Sequence, residues 1–441
     1  MKKYNGVLLA SMLLVASLGF TGCAATNKSA DSNSQNARQH EEGQSSTRGE
    51  NKAGDEKATI RLATAMDPAR LEPFKKLVDE WNAANPNVEV KLENTAYEEY
   101  WKKLQVMTAS NTMPDVWVYT PGLGSQWLEN GQLLPLNQYM EGDETLNKAD
   151  FHPMMIDYMT YEGDVYGLPY DVSAQVLFYN KDLFDQAKID YPTNNWTFDD
   201  LRQAAEKITA LQSDKGKIYG MLSMMGADFT GDTYFRSFGA TTITPEGKVG
   251  VNNEGGAEAL QYFLDNVKLG VTPKPEPGKS TRPLWLNGLG GMLADGGWAI
   301  PSFKDVPFEW GMARLPAGPA GQFTTGLGGA FVISKQTKYP KQSYEFLKYL
   351  TSTEGLNEIV TKVDAGVPGR MSSQEGLSPL MKQYADIIST ATPYNAINGL
   401  LELQDVMGKE MDQVWYSAKD PKAVVQAIEE KGNKVLESKR K

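Results

Sequence analysis

The chain has 441 residues, a formal net charge of −11, one cysteine and two histidines. An acidic chain without a basic stripe does not suit nucleic acid. A lone cysteine excludes an internal disulfide, and these counts also exclude metal sites built from clusters of His and Cys, such as zinc.

Lys2 and Lys3 open the chain, Val7 to Phe20 is almost wholly apolar, and the small pair Thr21-Gly22 stands directly before Cys23. This predicts a secretory signal peptide over residues 1–22, with an apolar core too short to span a bilayer. The run into Cys23 resembles a bacterial lipobox, with Phe20 where a leucine is usual. The resemblance implies that Cys23 becomes the first residue of the mature chain and receives a diacylglyceryl group. Two acyl chains give stable anchoring where one gives only marginal binding. Losing Lys2 and Lys3 with the leader takes the net charge from −11 to −13. The alternative is a soluble exported protein in which Cys23 is incidental. From Ala24 to Lys57 there is no aromatic, branched aliphatic or methionine residue. Residues 23–57 are therefore expected to be a disordered tether, its ends roughly 30 Å apart. No later stretch approaches the ~18 consecutive apolar residues of a membrane span.

The remaining 58–441 exceeds what one core usually supports, so two lobes are expected. "ATIRLATA" alternates as a strand. "ARLEPFKKLVDEWNAANPN" carries Leu71, Phe74, Leu77, Val78 and Trp81 on one helical stripe and stops at Asn85-Pro86. "VEVKL" is strand, "YEEYWKKLQVMTAS" helix, and "DVWVY" a third strand. Such a run argues for a parallel α/β sheet, whose ligands sit beyond the carboxyl ends of the strands. That rule selects the loops 64–68, 94–97 and 119–122, and with them Asp67 and Tyr97. A second α/β unit follows: "VLFYN" as a strand, then Thr197 and Asp200 as a capping box opening "FDDLRQAAEKITAL". Further on come a helix over 255–267, the proline-rich connector "TPKPEPGKSTRP", the strands in "GGMLADGGWAI" and "GGAFVIS", and a mostly helical remainder including 400–416.

Motifs for chemistry fail one by one. A Ser-His-Asp triad would need His152, the only histidine beyond the tether, and a Cys-His pair would need a cysteine the folded part lacks. "PGKS" has Pro273 where a phosphate loop requires its first glycine. Neither "GLGG" has dinucleotide-loop spacing. Carboxylates are plentiful, but no spacing selects a glycosidase pair. Aromatics are the positive signal: Tyr97, Tyr119, Trp285 and Trp298 fall in predicted loops rather than core stripes. A flat ring in a cleft stacks on the C–H face of a sugar while polar neighbours take the hydroxyls. Trp298, after the turn at Gly296-Gly297, is the strongest of these candidates.

The ordered pieces "MPDVWVYTPGLGSQWLENGQLLPL", "YGLPYDVSAQVLFYNKDLF", "WTFDDLRQAAEKI", "GGMLADGGWAI", "GLGGAFVISKQTKYPKQSYEFLKYLTSTEGLNEIV" and "GVPGR" resemble extracellular solute-binding proteins of carbohydrate ABC importers, the maltose-binding-protein-like group. The resemblance runs from about Ala58 to near the C-terminus. It implies a two-lobed α/β periplasmic-binding-protein-like fold with hinge crossings and an inter-lobe ligand cleft. Lobe 1 would take 58–171 plus 329–372, and lobe 2 would take 172–328 plus 373–441. The crossings fall at Asp171 to Ser173, near Thr325 to Gly329, and near Arg370 to Gly376.

Carried over by position, Tyr119 and Thr120 lie on the ligand loop, Asp171 beside the first hinge, Trp298 on the stacking aromatic and Gly328 at the second crossing. Arg370 is a candidate ligand clamp, the alternative being an inter-helix salt bridge, and Asp228 a candidate contact from "MMGADFTGD". The implied protein is a monomer without cofactor, metal or catalytic residue. Anchored by Cys23 on the extracellular face of a single-membrane bacterium, it would deliver an oligosaccharide or other sugar to an ABC permease. The rival readings are a surface glycosidase using two cleft carboxylates, and a binder of a non-sugar solute such as a polyamine or peptide.

Overall fold

The computed structural model describes residues 57–222, 225–276, 279–395 and 397–439. The leader, Cys23 and the tether up to residue 56 lie outside the described residues.

The expected strand–helix–strand run is present: β1 (Ala58–Thr64), α1 (Pro68–Ala84), β2 (Val88–Asn94), α2 (Tyr97–Ala109) and β3 (Val116–Tyr119), with α3 (Pro121–Glu129) directly after. Pro68 opens α1 at the position where a missing N–H costs nothing. Phe74, Leu77 and Val78 bury against the sheet, as the stripe requires. β2 and β3 flank β1 in parallel. Two strands remote in sequence complete this sheet, so it is mixed rather than parallel. β4 (Gly167–Pro169) pairs with a strand at 330–333, which in turn lies antiparallel to β3.

β5 (Asp171–Asn180) leaves that sheet through Tyr170 and becomes the central strand of a second one. There follow α4 (Phe198–Thr209), with both arms of the Thr197–Asp200 capping box formed, β6 (Tyr219–Met221), α5 (Phe229–Ser237) and α6 (Glu254–Leu269). Next are α7 (Arg282–Leu286), β7 (Gly290–Gly296), a 3₁₀ turn over Gly297–Phe303, β8 (Trp310–Ala313) and β9 (Thr325–Leu327). β10 (Ala330–Ile333) returns to the first sheet, giving the order β2-β1-β3-β10-β4. α8 (Pro340–Leu350) packs there too, through Phe346, Leu347 and Leu350. β11 (Val367–Pro368), α9 (Pro379–Ile388), β12 (Thr392–Pro393), α10 (Leu400–Ser417) and α11 (Pro421–Lys439) complete the second unit.

β5 pairs antiparallel with β7, β8, β9 and β11 along different parts of its length. Its alternation serves two cores. Val172, Ala174, Val176 and Phe178 bury with Trp285, Phe303 and Tyr384, whereas Leu177 joins the cluster of α4, α6, α10 and α11.

The backbone passes between the two sheets at Tyr170, at Gly328-Gly329, and over 367–377, where Val367 already pairs with β5 and Leu377 is in its core. The first two passages are in close contact. A Cβ on Gly328 would sit 2.3 Å from the Asp171 carbonyl oxygen, and one on Gly329 2.0 Å from the Tyr170 ring. Only glycine lets these segments approach so nearly.

Candidate ligand-binding site

The carboxyl ends of β1 and β3 face the second lobe. The loop after β1 is braced by Asn94 at the end of β2. Its Oδ1 accepts from Thr64 Oγ1 and from the Met66 N–H, both at 2.8 Å, and its Nδ2 donates to the Met66 carbonyl at 3.0 Å. That brace holds Asp67 at the start of α1, exposed at the rim. Arg282 of the second lobe approaches Asp67 Oδ2 at 3.9 Å while holding Asp295 through Nε at 2.9 Å and Nη2 at 2.8 Å. Burial raises the pKa of Asp295, opposed by Arg282, the Gly296 N–H and the Trp298 indole.

Trp298, half-buried in the turn after β7, meets Phe229 edge-to-face with ring centres 5.9 Å apart. The Gly296–Gly297 pair makes this possible, because a Cβ on Gly296 would lie 2.2 Å from the indole. Asp228 accepts from the Thr230 N–H at 2.9 Å and caps α5, so it aims Phe229. Burial raises its pKa against those hydrogen bonds. The loop after β3 meets the second lobe directly. Thr120, Pro121 and Gly122 pack on Phe229, Leu327, Tyr394 and Gln404, enclosing only ≈ 10 Å³.

At the inner end, Asp171 is 4% exposed and accepts from the Gly329 N–H through Oδ1 at 2.5 Å. Arg70 lies one turn along α1 from Asp67 and is 6% exposed. Its Nη2 stands 3.7 Å from Asp171 Oδ2, and its guanidinium 5.6 Å over the Tyr170 ring centre. Burial pushes the Asp171 carboxyl up to about 6, against the opposing pull of Arg70 and the Gly329 N–H. The hinge thus holds a carboxylate whose neighbours do not fully offset its desolvation.

Asp67, Thr120, Asp171, Trp298 and Gly328 therefore lie where the two lobes meet. Tyr97 begins α2 and is 44% exposed, its ring edge-on to Trp101. Three expectations differ from the structure. Tyr119 is a core residue, 1% exposed beneath α3, where its ring fills the space a Cβ on Gly124 would need. Trp285 is fully buried against Phe303 and Phe308. Arg370 takes the salt-bridge role: Nε donates to the Thr351 carbonyl at 2.6 Å, Nη1 pairs with Asp150 at 3.1 Å, and the guanidinium stacks on Phe151. Its donors are used in tying two segments together rather than turned to the cleft.

Arg70, Arg282, Asp295 and Phe229 were not legible as site residues. The first three read as solvated charges, and their positions depend on contacts made across the chain. A separate crevice of ≈ 650 Å³ lies against β5 and β11, lined by His152, Met154, Tyr158, Val172, Val367 and Ile388. It is not the surface that carries Trp298. Among the described residues no group of three or more His, Cys, Asp or Glu side chains could hold a metal ion.

Paired sheets, three crossings and a polar–aromatic contact surface between lobes accompany a match of residues 67–356 to the family model described as bacterial extracellular solute-binding protein. The chain belongs to this family. It is a binding protein and not an enzyme. A binding protein of Brucella abortus (strain 2308) is 25% identical to it over 404 residues, covering 86% of this chain and 93% of that one. The maltodextrin-binding protein MdxE of Bacillus subtilis (strain 168) is 26% identical over 381 residues, covering 81% and 83%. Among solved structures, the ABC substrate-binding protein Lmo0181 from Listeria monocytogenes, in complex with cycloalternan, superposes with a TM-score of 0.79. It is 23% identical and covers 87% of this chain and 100% of that one. That likeness establishes the fold as the two-lobed α/β type.

Proposed function

We propose that this solute-binding protein captures an oligosaccharide outside the cell by closure of its two lobes and delivers it to an ABC permease. It would act as a monomer held at the membrane by the lipid on Cys23. The observation that carries the reading is the inter-lobe surface. Trp298 and Phe229 supply apolar ring surface, and Asp67, Asp295 and Arg282 stand beside them with charged donors and acceptors. Rings for C–H faces and charged groups for hydroxyls are what a sugar requires. The maltodextrin named for the Bacillus relative and the cycloalternan held by the Listeria protein favour a sugar over a polyamine or peptide.

Thermal unfolding with maltotriose, mannotriose and arabinotriose tests the ligand class. A ligand at a hundred times its Kd stabilises the folded state by about 2.7 kcal/mol. No shift with any oligosaccharide, together with a shift in spermidine or a tripeptide, would replace the sugar reading. For the anchor, Cys23→Ala should move the protein from the membrane fraction to the medium.

A further inference from the structure

Two buried side chains at the inner end of the site carry polar atoms without a hydrogen-bond partner. Arg70 is 6% exposed, yet Nε and Nη2 make no hydrogen bond, Asp171 being too far at 3.7 Å. Gln175 is 4% exposed and its Oε1 accepts none. Buried polar groups are overwhelmingly hydrogen-bonded. Trp101 Nε1 and Trp285 Nε1 are orphaned in the core as well, but Arg70 and Gln175 are polar side chains standing where the lobes meet. Both are placed for the same ligand. Arg70 stands at the start of α1, which packs against the 297–303 turn carrying Trp298. Gln175 pairs with Gly296 across β5 and β7, so its side chain leaves the sheet on the side where the Trp298 indole covers Gly296.

We propose that Arg70 and Gln175 contact the ligand, Arg70 donating through Nε and Nη2 to hydroxyl oxygens and Gln175 accepting from a hydroxyl. The pair sets the ligand class as an uncharged, polyhydroxylated saccharide. Asp171 beside Arg70 cancels its charge, and Asp67 and Asp295 outnumber Arg282 at the rim. A uronate carboxylate reaching Arg70 would have to share one guanidinium with Asp171, two like charges on one cation. A neutral hydroxyl meets no such opposition. Neither residue stood out in the sequence, since an Arg in a first helical turn reads as a solvated charge.

This inference rests on the sugar reading above, and the experiment separates the two. Calorimetric titration of the full chain would use the three neutral trisaccharides and, as the acidic probe, trigalacturonate. A neutral trisaccharide is expected to bind, with trigalacturonate at least tenfold weaker. Arg70→Ala is expected to weaken the neutral ligand 10- to 100-fold. Arg70→Lys keeps a cation beside Asp171 and should hold the unliganded melting temperature while still losing at least fivefold in affinity. Gln175→Leu, which leaves the Arg70–Asp171 pair intact, is expected to lose about tenfold. Wild-type affinity in Arg70→Lys and Gln175→Leu would overturn the assignment while leaving the sugar reading standing. Tighter binding of trigalacturonate than of every neutral probe would overturn the ligand class. Failure of all saccharides would remove the sugar reading and this inference together.

Discussion

Two charged contacts tie the start of α1 to the rest of the molecule, and they stand one helical turn apart. Asp67 reaches Arg282 at the rim, where Asp67 is 53% exposed and Arg282 is already held by Asp295. Arg70 faces Asp171 in the interior, with side chains 7% and 5% exposed. The rim contact is screened and shared with water, so it adds little stability. At the hinge each charge has given up its solvation, and removing one strands the other. The same helix end thus carries a cheap contact where lobes part and an expensive one where they are joined.

The sharpest way to break this contrast is Asp171→Ala, expected to cost about 3–5 kcal/mol in urea unfolding as Arg70 loses its counter-charge. A loss below about 1 kcal/mol would put the two contacts in one class.

The next largest effect is in pH. Asp171 titrates at about 6 when folded, above the usual 3.8. The folded state therefore binds this proton more tightly, and stability from this group rises as pH falls from about 7 to 4. The linkage is at most about 3 kcal/mol. It should appear as a difference between wild type and Asp171→Asn, because other carboxylates titrate in the opposite sense. Parallel pH profiles for the two proteins would show Asp171 ionising normally.

Trp298→Ala and Arg370→Ala divide binding from folding. The first should weaken saccharide binding by about 2 kcal/mol with little change in unfolding. The second should lower stability by about 2 kcal/mol through its lost charged hydrogen bonds, and leave affinity unchanged. Reduced affinity in Arg370→Ala with normal stability would return that residue to the cleft.

The smallest effect is at the rim, where Asp67→Asn should cost less than about 1 kcal/mol and vanish in high salt.

What the sequence revealed follows from the range of the interactions. The β1–α1–β2–α2–β3 run, the Thr197–Asp200 cap and the glycine pair before Trp298 are local, each written within a few residues. The resemblance to solute-binding proteins supplied the lobes and the crossings. Tyr119 was misplaced because a strand end fixes the backbone's position but not which side the ring takes; packing against Gly124 decides that. Arg70 and Gln175 could not be picked out, since their burial depends on Asp171 and Trp298, one hundred or more residues away. Arg370 reads from sequence as either a ligand clamp or a salt bridge, and only the placement of Asp150 and Thr351 beside it in the fold decides for the salt bridge.

The position of β10 has a consequence for how the chain folds. This strand lies between β3 and β4, yet it is residues 330–333, more than two hundred positions after β3. The first sheet therefore has an open inner edge until three-quarters of the protein has been synthesised. Contacts this distant in sequence make folding slow and keep it late. A truncated chain ending at Pro169 would expose the flank of β3 without its neighbour. The first sheet of this protein therefore cannot close until the last quarter of the chain has arrived, whatever order the second sheet follows.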